Sequence, residues 1–383
     1  MPRPEDIPTP ERHPPDKPVE ERDQTRHKLE TMVRYWGGWL EVSARARGSW
    51  CNRHLWLVDG MAGSGRHPST EHPDAAVPGT AVIAAIMART TQRAHPGQVV
   101  TVHAVDIDPS QSTALEGRLA ALRGEPPEGV DVRVHPDDFA DVVDGIIAEV
   151  NAPCAEAPSR TGPHQHHSLW LMDPYGPQAI PIAPLRKVES LAGSELIINL
   201  DTHGVARLMA VARSRRGPWQ QDAAILDALF GSDIWTTLPE GEDEAVRDQI
   251  ARTYADRFTR FPIRRIHRMR ASSGQIRHFI HLSRHTVAED LFKRVFDDAL
   301  VAGTIAKGKT LSLAERSAAA ARLAGEFAGQ RVTVDEMALL SARSPKGQLP
   351  TICRTAEADG WGTYEAGTRT MTWFSERARG LFD

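Results

Sequence analysis

A chain of 383 residues can bury one large domain or two smaller ones, and a net charge of −4 excludes an overall basic field that would advertise nucleic acid. Cys51, Cys154 and Cys353 stand far apart, form neither a metal-ligand spacing nor an even-numbered disulfide framework, and fit a reducing, cytoplasmic setting. No apolar run approaches the ~18 residues of a membrane span, and the N-terminus lacks a signal-peptide core.

Residues 1–22 are rich in Pro, Glu, Asp and Arg, bury too little to offset their chain entropy, and are expected to be disordered. A helix is expected from near Asp23, with Leu29, Val33, Trp36 and Leu40 on one face and the His27-Lys28 pair facing either solvent, the reading adopted, or the cofactor mouth. Next comes an apolar run, Leu55 to Val58, that ends in Asp59 and passes into Gly60-Met61-Ala62-Gly63-Ser64-Gly65-Arg66. This reads as a buried parallel strand and the turn leaving its carboxyl end, where a doubly wound sheet holds its ligand. The spacing is D-G-x-x-G-x-G rather than G-x-G-x-x-G. An acid at the strand tip repels a pyrophosphate and attracts an ammonium group, which favours S-adenosylmethionine over NAD. A glycine-rich turn without a ligand is the competing reading.

His67 to Pro78 reads as an insertion, either a lid or a plain surface loop, and Gly79-Thr80 open a helix through Met87. A second strand, Val99–Val105, ends in Asp106, placed to hold a ribose diol because one carboxylate accepts two O–H bonds. Asp108 or Ser110 caps the following helix, whose buried stripe is Leu115, Leu119 and Leu122. A third strand, Val130–Val134, leads to Asp138-Phe139, an acid and an aromatic suited to an adenine; Asp138 also fits as an N-cap. Residues 151–167 read as a loop whose His164, His166 and His167 are solvated rather than metal-bound.

Ser168–Met172 is a fourth strand with Asp173-Pro174-Tyr175-Gly176 at its tip. Proline fixes the turn, the Asp173 carboxylate points into the pocket, and Tyr175 offers a ring for a planar base. The tetrapeptide resembles the D/N-P-P-aromatic motif of amino-methylating enzymes, with the second proline missing. A fifth strand, Glu195–Leu200, contains Asn199; just beyond it His203 is a general base or a helix cap, and Arg207 is a pocket candidate. Helices around 221–230 and 244–258 precede a hairpin, Ile263–Arg270 and Ile276–Arg284, through Ser272-Ser273-Gly274. Arg257, Arg260, Arg264, Arg265, Arg268, Arg270, Arg277 and Arg284 make this region basic, either to track phosphates or to blunt an edge strand.

The expected fold is α/β: a Rossmann-like methyltransferase fold over 23–286, doubly wound and mostly parallel with a late antiparallel hairpin. A helical connector over 287–330 leads to a winged-helix-like module over 331–383. In that module helices at Val334–Ser341 and Gln348–Asp359 precede a hairpin of Trp361–Glu365 and Thr370–Phe374, with Arg343, Lys346 and Arg354 near the recognition helix.

From about His27 to Thr286 the chain resembles the three-Cys-motif partner protein family. The residues that carry the likeness are His27-Lys28 with Tyr35, Asp59-Gly60, Ala62-Gly63, Gly65-Arg66, and Pro78-Gly79-Thr80. Further along they are Asp106, Asp108-Pro109, Asp138-Phe139, Asp173 to Gly176, Asn199, and Leu229-Phe230-Gly231. Family members tend to have Phe where Met61 and Tyr175 stand, and the glycine loop is also similar to that of a bacterial ribosomal-RNA adenine methyltransferase. The resemblance implies an S-adenosylmethionine-dependent methyltransferase core beside a three-cysteine, phage-type protein. The leading expectation is N-methylation of a nucleobase in nucleic acid or a nucleotide. Asp59, Gly60, Ala62, Gly63, Gly65 and Arg66 would hold the methionine end, Asp106 the ribose, and Asp138 and Phe139 the adenine, while Asp173, Pro174 and Tyr175 orient the acceptor. The alternatives are a non-catalytic scaffold for the three-cysteine protein and a winged-helix DNA-binding regulator.

Overall fold

The computed structural model describes residues 19–45, 54–68, 76–122, 129–152, 167–174, 176–177, 180–215, 217, 219–270, 276–293, 295, 313–334, 337 and 349–374. Strands β1 (His54–Asp59), β4 (Val99–Val105), β5 (Val130–His135), β6 (His167–Met172), β7 (Ser194–Leu200), β8 (Ile263–Arg270) and β9 (Ile276–Ser283) build one sheet. Its order is β5-β4-β1-β6-β7-β9-β8. β9 runs antiparallel to both neighbours, so the other strands share one direction. This is a doubly wound, Rossmann-like α/β sheet, and its reversal of strand order falls at β1, where a crevice opens at the carboxyl ends.

The central strands are apolar on both faces because both are covered. In β1, Leu55 and Leu57 meet α1 (Val19–Arg45) and α2 (Thr80–Ala94), while Trp56 and Val58 meet the opposite layer. That layer holds α4 (Phe139–Val150), α5 (Ile182–Glu189), α6 (Thr202–Ser214), α7 (Trp219–Phe230) and α8 (Glu244–Asp256), with Phe139, Leu185, Met209, Phe230 and Tyr254 among its core residues. Helix α1 begins at Val19, four residues before the expected start, and residues 1–18 lie outside the described residues. The expected insertion is a hairpin, β2 (Arg66–Pro68) with β3 (Ala76–Pro78). Helix α2 runs on to Ala94, beyond the expected Met87, because Ala88 and Thr91 continue its buried face.

Most of the arginines of this region have partners among the described residues, while Arg260, Arg264, Arg265 and Arg268 remain exposed. Arg268 pairs with Glu244 and Asp248, Arg265 with Glu289, and Arg277 with Asp201 at 3.2 Å. Arg257 donates to the Phe230 carbonyl at 2.8 Å, and Arg264 to those of Phe258 and Phe261 at 3.1 and 2.9 Å. Arg284 lies over the Phe261 ring and donates to the Leu191 carbonyl at 3.0 Å. Arg257, Arg264 and Arg284 thus close backbone ends, and Arg265, Arg268 and Arg277 pair with carboxylates.

Beyond the sheet, α9 (Leu313–Glu326), β10 (Arg331–Thr333), α10 (Leu349–Ala358), β11 (Gly362–Glu365) and β12 (Thr370–Trp373) have a core of their own. It contains Leu323, Phe327, Ile352, Cys353, Met371 and Trp373, and the three strands pair antiparallel in the order β10-β12-β11. Helix α9, expected inside a connector, therefore belongs with these elements. Arg354 is exposed on α10; Arg343, Lys346 and most of the helix expected at Val334–Ser341 lie outside the described residues. No helix among the described residues is long and apolar enough to cross a membrane.

Candidate functional site

Asp59 ends β1 with 1% of its surface exposed. The Thr80 hydroxyl at the start of α2 donates to its Oδ2, and the Met61 N–H donates to its Oδ1 at 3.2 Å. Burial raises its pKa to about 7; Thr80, Met61 and Lys28 oppose the rise and Asp173 adds to it. Its hydrogen-bond partners are a hydroxyl and a backbone N–H, so its negative charge is poorly balanced.

The turn that follows is held from several sides. Ala62 N–H donates to the Val105 carbonyl at 2.8 Å, Gly63 N–H to Asp106 Oδ2 at 2.8 Å, and Gly79 N–H to the Gly65 carbonyl at 2.8 Å. Arg118, from α3 (Pro109–Ala121), donates to the Ser64 carbonyl. Gly63 and Gly65 have φ of +58° and +71°, the left-handed region that favours glycine. A Cβ on Gly65 would also meet Leu115 Cδ1 at 2.5 Å, whereas one on Gly63 would face open space. Gly60 and Ala62 are buried beneath the turn, and Arg66 is exposed where the hairpin begins.

Asp106 ends the adjacent strand and braces the turn, accepting from Gly63 N–H and, at 2.9 Å, from Asp108 N–H. A carboxylate has about four lone-pair sites, so two remain for ligand hydroxyls. Ile107, 68% exposed, sits beside it, an aliphatic face at the crevice that the sequence reading passed over. Asp138 caps α4 by accepting from Ala140 N–H at 2.8 Å, as its N-cap reading expected. A shallow cleft lies there among Met61, Asp138, Phe139, Met172, Ile180 and Leu185.

Asp173 follows β6. Lys28 of α1 pairs with its Oδ2, and Asn199 Nδ2 of β7 donates to its Oδ1 at 2.7 Å. Burial acts to raise its pKa, but the Lys28 ammonium, the Asn199 amide and the charge on His67 outweigh that and hold Asp173 below the ordinary carboxylate value. Lys28 thus reaches the site, which corrects the solvent-facing expectation. It flanks the buried stripe begun by Leu29, and no spacing in the sequence connects it to a residue 145 positions away. His67 reaches Asp173 electrostatically from the hairpin, so the insertion contributes to the site. The Asn199 side chain is buried and its Oδ1 has no hydrogen-bond partner among the described residues.

Pro174 is buried beside Asp173, and Tyr175 lies outside the described residues, as do His164 and His166. Asp201, not His203, caps α6 by accepting from Gly204 N–H at 3.1 Å. His203 lies 3.7 Å from Glu242, and Arg207 is exposed on α6. The structure therefore brings Asp59, Gly63, Gly65, Asp106, Asp138, Phe139 and Asp173 to the carboxyl edge of the sheet, and adds Lys28, Thr80 and Asn199. No protein-family model matches the chain, and no curated protein matches it.

Proposed function

We propose that the chain is an S-adenosylmethionine-dependent methyltransferase acting on a nitrogen of a nucleobase, in nucleic acid or in a nucleotide. The observation that carries the reading is Asp59: a buried, poorly balanced carboxylate at a glycine turn, on the carboxyl edge and facing Asp173. A cationic ligand end supplies the charge that Asp59 lacks, which a pyrophosphate would not. Asp106 has lone pairs for the ribose hydroxyls, and the exposed Ile107 beside it offers an apolar face to an adenine. When bound, the cofactor supplies an activated methyl group on a sulfonium.

Asp173, kept ionised by Lys28 and Asn199, accepts a hydrogen bond from the acceptor nitrogen and aims its lone pair. Alignment of this kind contributes about 7–11 kcal/mol to such transfers without strong acid–base chemistry. The sheet order, with β9 as its antiparallel strand, supports the methyltransferase variant of the fold. Helix, strand, helix and hairpin in the terminal elements support a winged-helix-like module. The test is role separation: Asp173→Ala keeps cofactor affinity, read by calorimetry, and loses methyl transfer from labelled cofactor to total RNA or DNA. Equal loss of both would refute the division of roles.

A second reading is a methyltransferase-like scaffold for a three-cysteine protein, and the Lys28–Asp173 pair across the acceptor position favours it. Co-purification with such a protein, together with no methyl transfer to RNA or DNA, would make it the better account.

A further inference from the structure

We propose that Arg277 is the seat of a phosphate on the acceptor, which makes the acceptor a nucleotide or a nucleic-acid strand rather than a free base. The proposal rests on the acceptor side of the reading above.

Strand register is the first support. β9 pairs antiparallel with β7, with Asn199 opposite Phe279 and Leu200 opposite His278, so Arg277 lies two residues past the partner of Asn199, at the carboxyl edge. Side chains alternate across a strand. Ile197 and Phe279 belong to the core under α1, whereas Ile198 and Ile280 belong to the opposite layer. Asn199 and Arg277 therefore share the α1 face, the face from which Lys28 meets Asp173. In the sheet β9 is two strands from β6 and three from β1. At the usual strand spacing Arg277 stands about 10 Å from the strand before Asp173 and about 14 Å from that of Asp59. It thus flanks the acceptor side of the crevice and not the cofactor side. A base, its sugar and one phosphate span the shorter of these distances.

Hydrogen-bonding capacity is the second support. Among the described residues the Arg277 guanidinium has one partner, Asp201, with Nη1 at 3.2 Å from Oδ1, and its side chain is 24% exposed. A guanidinium is a planar fork of N–H donors, so one contact leaves most of it open. The other arginines of the region are spent differently. Arg257, Arg264 and Arg284 donate to backbone carbonyls, and Arg265 and Arg268 meet Glu289, Glu244 and Asp248. Asp201 does not close the seat. It caps α6 by accepting from Gly204 N–H at 3.1 Å, so its charge is shared between the positive end of that helix and Arg277. A fork held by one edge on Asp201 keeps its other edge for a phosphate, in the bidentate geometry that arginine favours.

The experiment uses the full chain and follows labelled single-stranded RNA and DNA of mixed sequence by fluorescence anisotropy. Calorimetry follows nucleoside monophosphates and S-adenosylmethionine alongside. The wild type should bind at least one of the phosphate-bearing probes, and the tightest names the source of the phosphate. Arg277→Gln should weaken that binding about tenfold, the value of a hydrogen bond to a charged group, and for a strand should lower the slope of log affinity against log salt by about 0.7. Arg268→Gln, whose side chain meets Asp248 on the opposite face of the hairpin, should change neither. Asp201→Asn keeps a side-chain cap for α6 and removes a competing anion, so it should tighten binding about two- to fivefold, a gain that a damaged fold does not give. No binding of any phosphate-bearing probe by the wild type, or equal binding by the wild type and Arg277→Gln, would overturn the proposal. Equal losses in Arg277→Gln and Arg268→Gln would overturn it in favour of a diffuse basic field. Arg277-dependent binding without binding of S-adenosylmethionine would support the phosphate seat and overturn the cofactor reading.

Discussion

Two carboxylates at the tips of adjacent strands are pushed in opposite directions. Asp59 is raised to about 7 by burial, while Asp173, only partly buried, is held down by Lys28 and Asn199. The folded state keeps the Asp59 proton to higher pH than the unfolded chain does. Its contribution to stability is therefore full at acid pH and is lost as pH rises from the ordinary carboxylate range through about 7. The loss is on the order of 4 kcal/mol for a shift of this size. Asp59→Asn should remove this dependence and be the more stable protein above neutrality, as thermal unfolding across pH would show. Cofactor affinity should move the other way, strengthening as Asp59 ionises, and calorimetry on either side of neutrality reads that. Glycine at position 65 answers both a φ of +71° and the approach of Leu115, so Gly65→Ala should cost about 1–3 kcal/mol in chemical denaturation.

Helix α1 matters because it delivers Lys28, and a buried polar cluster fastens it to the sheet. The Tyr35 hydroxyl donates to Glu195 Oε2 at 2.8 Å and the Trp39 indole N–H to Glu195 Oε1 at 3.0 Å, with His281 Nε2 3.0 Å from the Tyr35 hydroxyl. Glu195 lies on β7, the strand that also carries Asn199, so one strand positions both α1 and the amide that holds Asp173. Tyr35→Phe deletes a bond to a buried charged group and should cost about 1.5–3 kcal/mol, measured by denaturant unfolding. The strands were legible because their apolar runs end in acids and glycines, as at Asp59, Asp106 and Asp173. For Lys28 the sequence left solvent and the cofactor mouth both open, because an ion pair between a helix flank and a distant strand tip exists only once α1 has docked. The partners of the β8 arginines were illegible for the same reason: Glu244, Asp248 and Glu289 come from other elements.

At the scale of the molecule, strand order converts a linear series of acids into one edge. β1 is flanked by β4 and β6, so Asp59, Asp106 and Asp173, spread widely in sequence, become neighbours at the crevice. The Rossmann-like core could be read in advance from alternating apolar strands and helical stripes. The hairpin at 66–78 could not, since its short strands carry no period, and the packing of α9 with the terminal strands could not, since an apolar stripe does not name its partner. Calorimetric titration of the wild-type chain and Asp59→Ala with S-adenosylmethionine decides whether β1 ends in a seat for a cation. The wild type should bind, and the variant should lose about tenfold or more in affinity, as expected for removing a charge-assisted bond. No binding by the wild type, or equal binding by both, would contradict the cation seat.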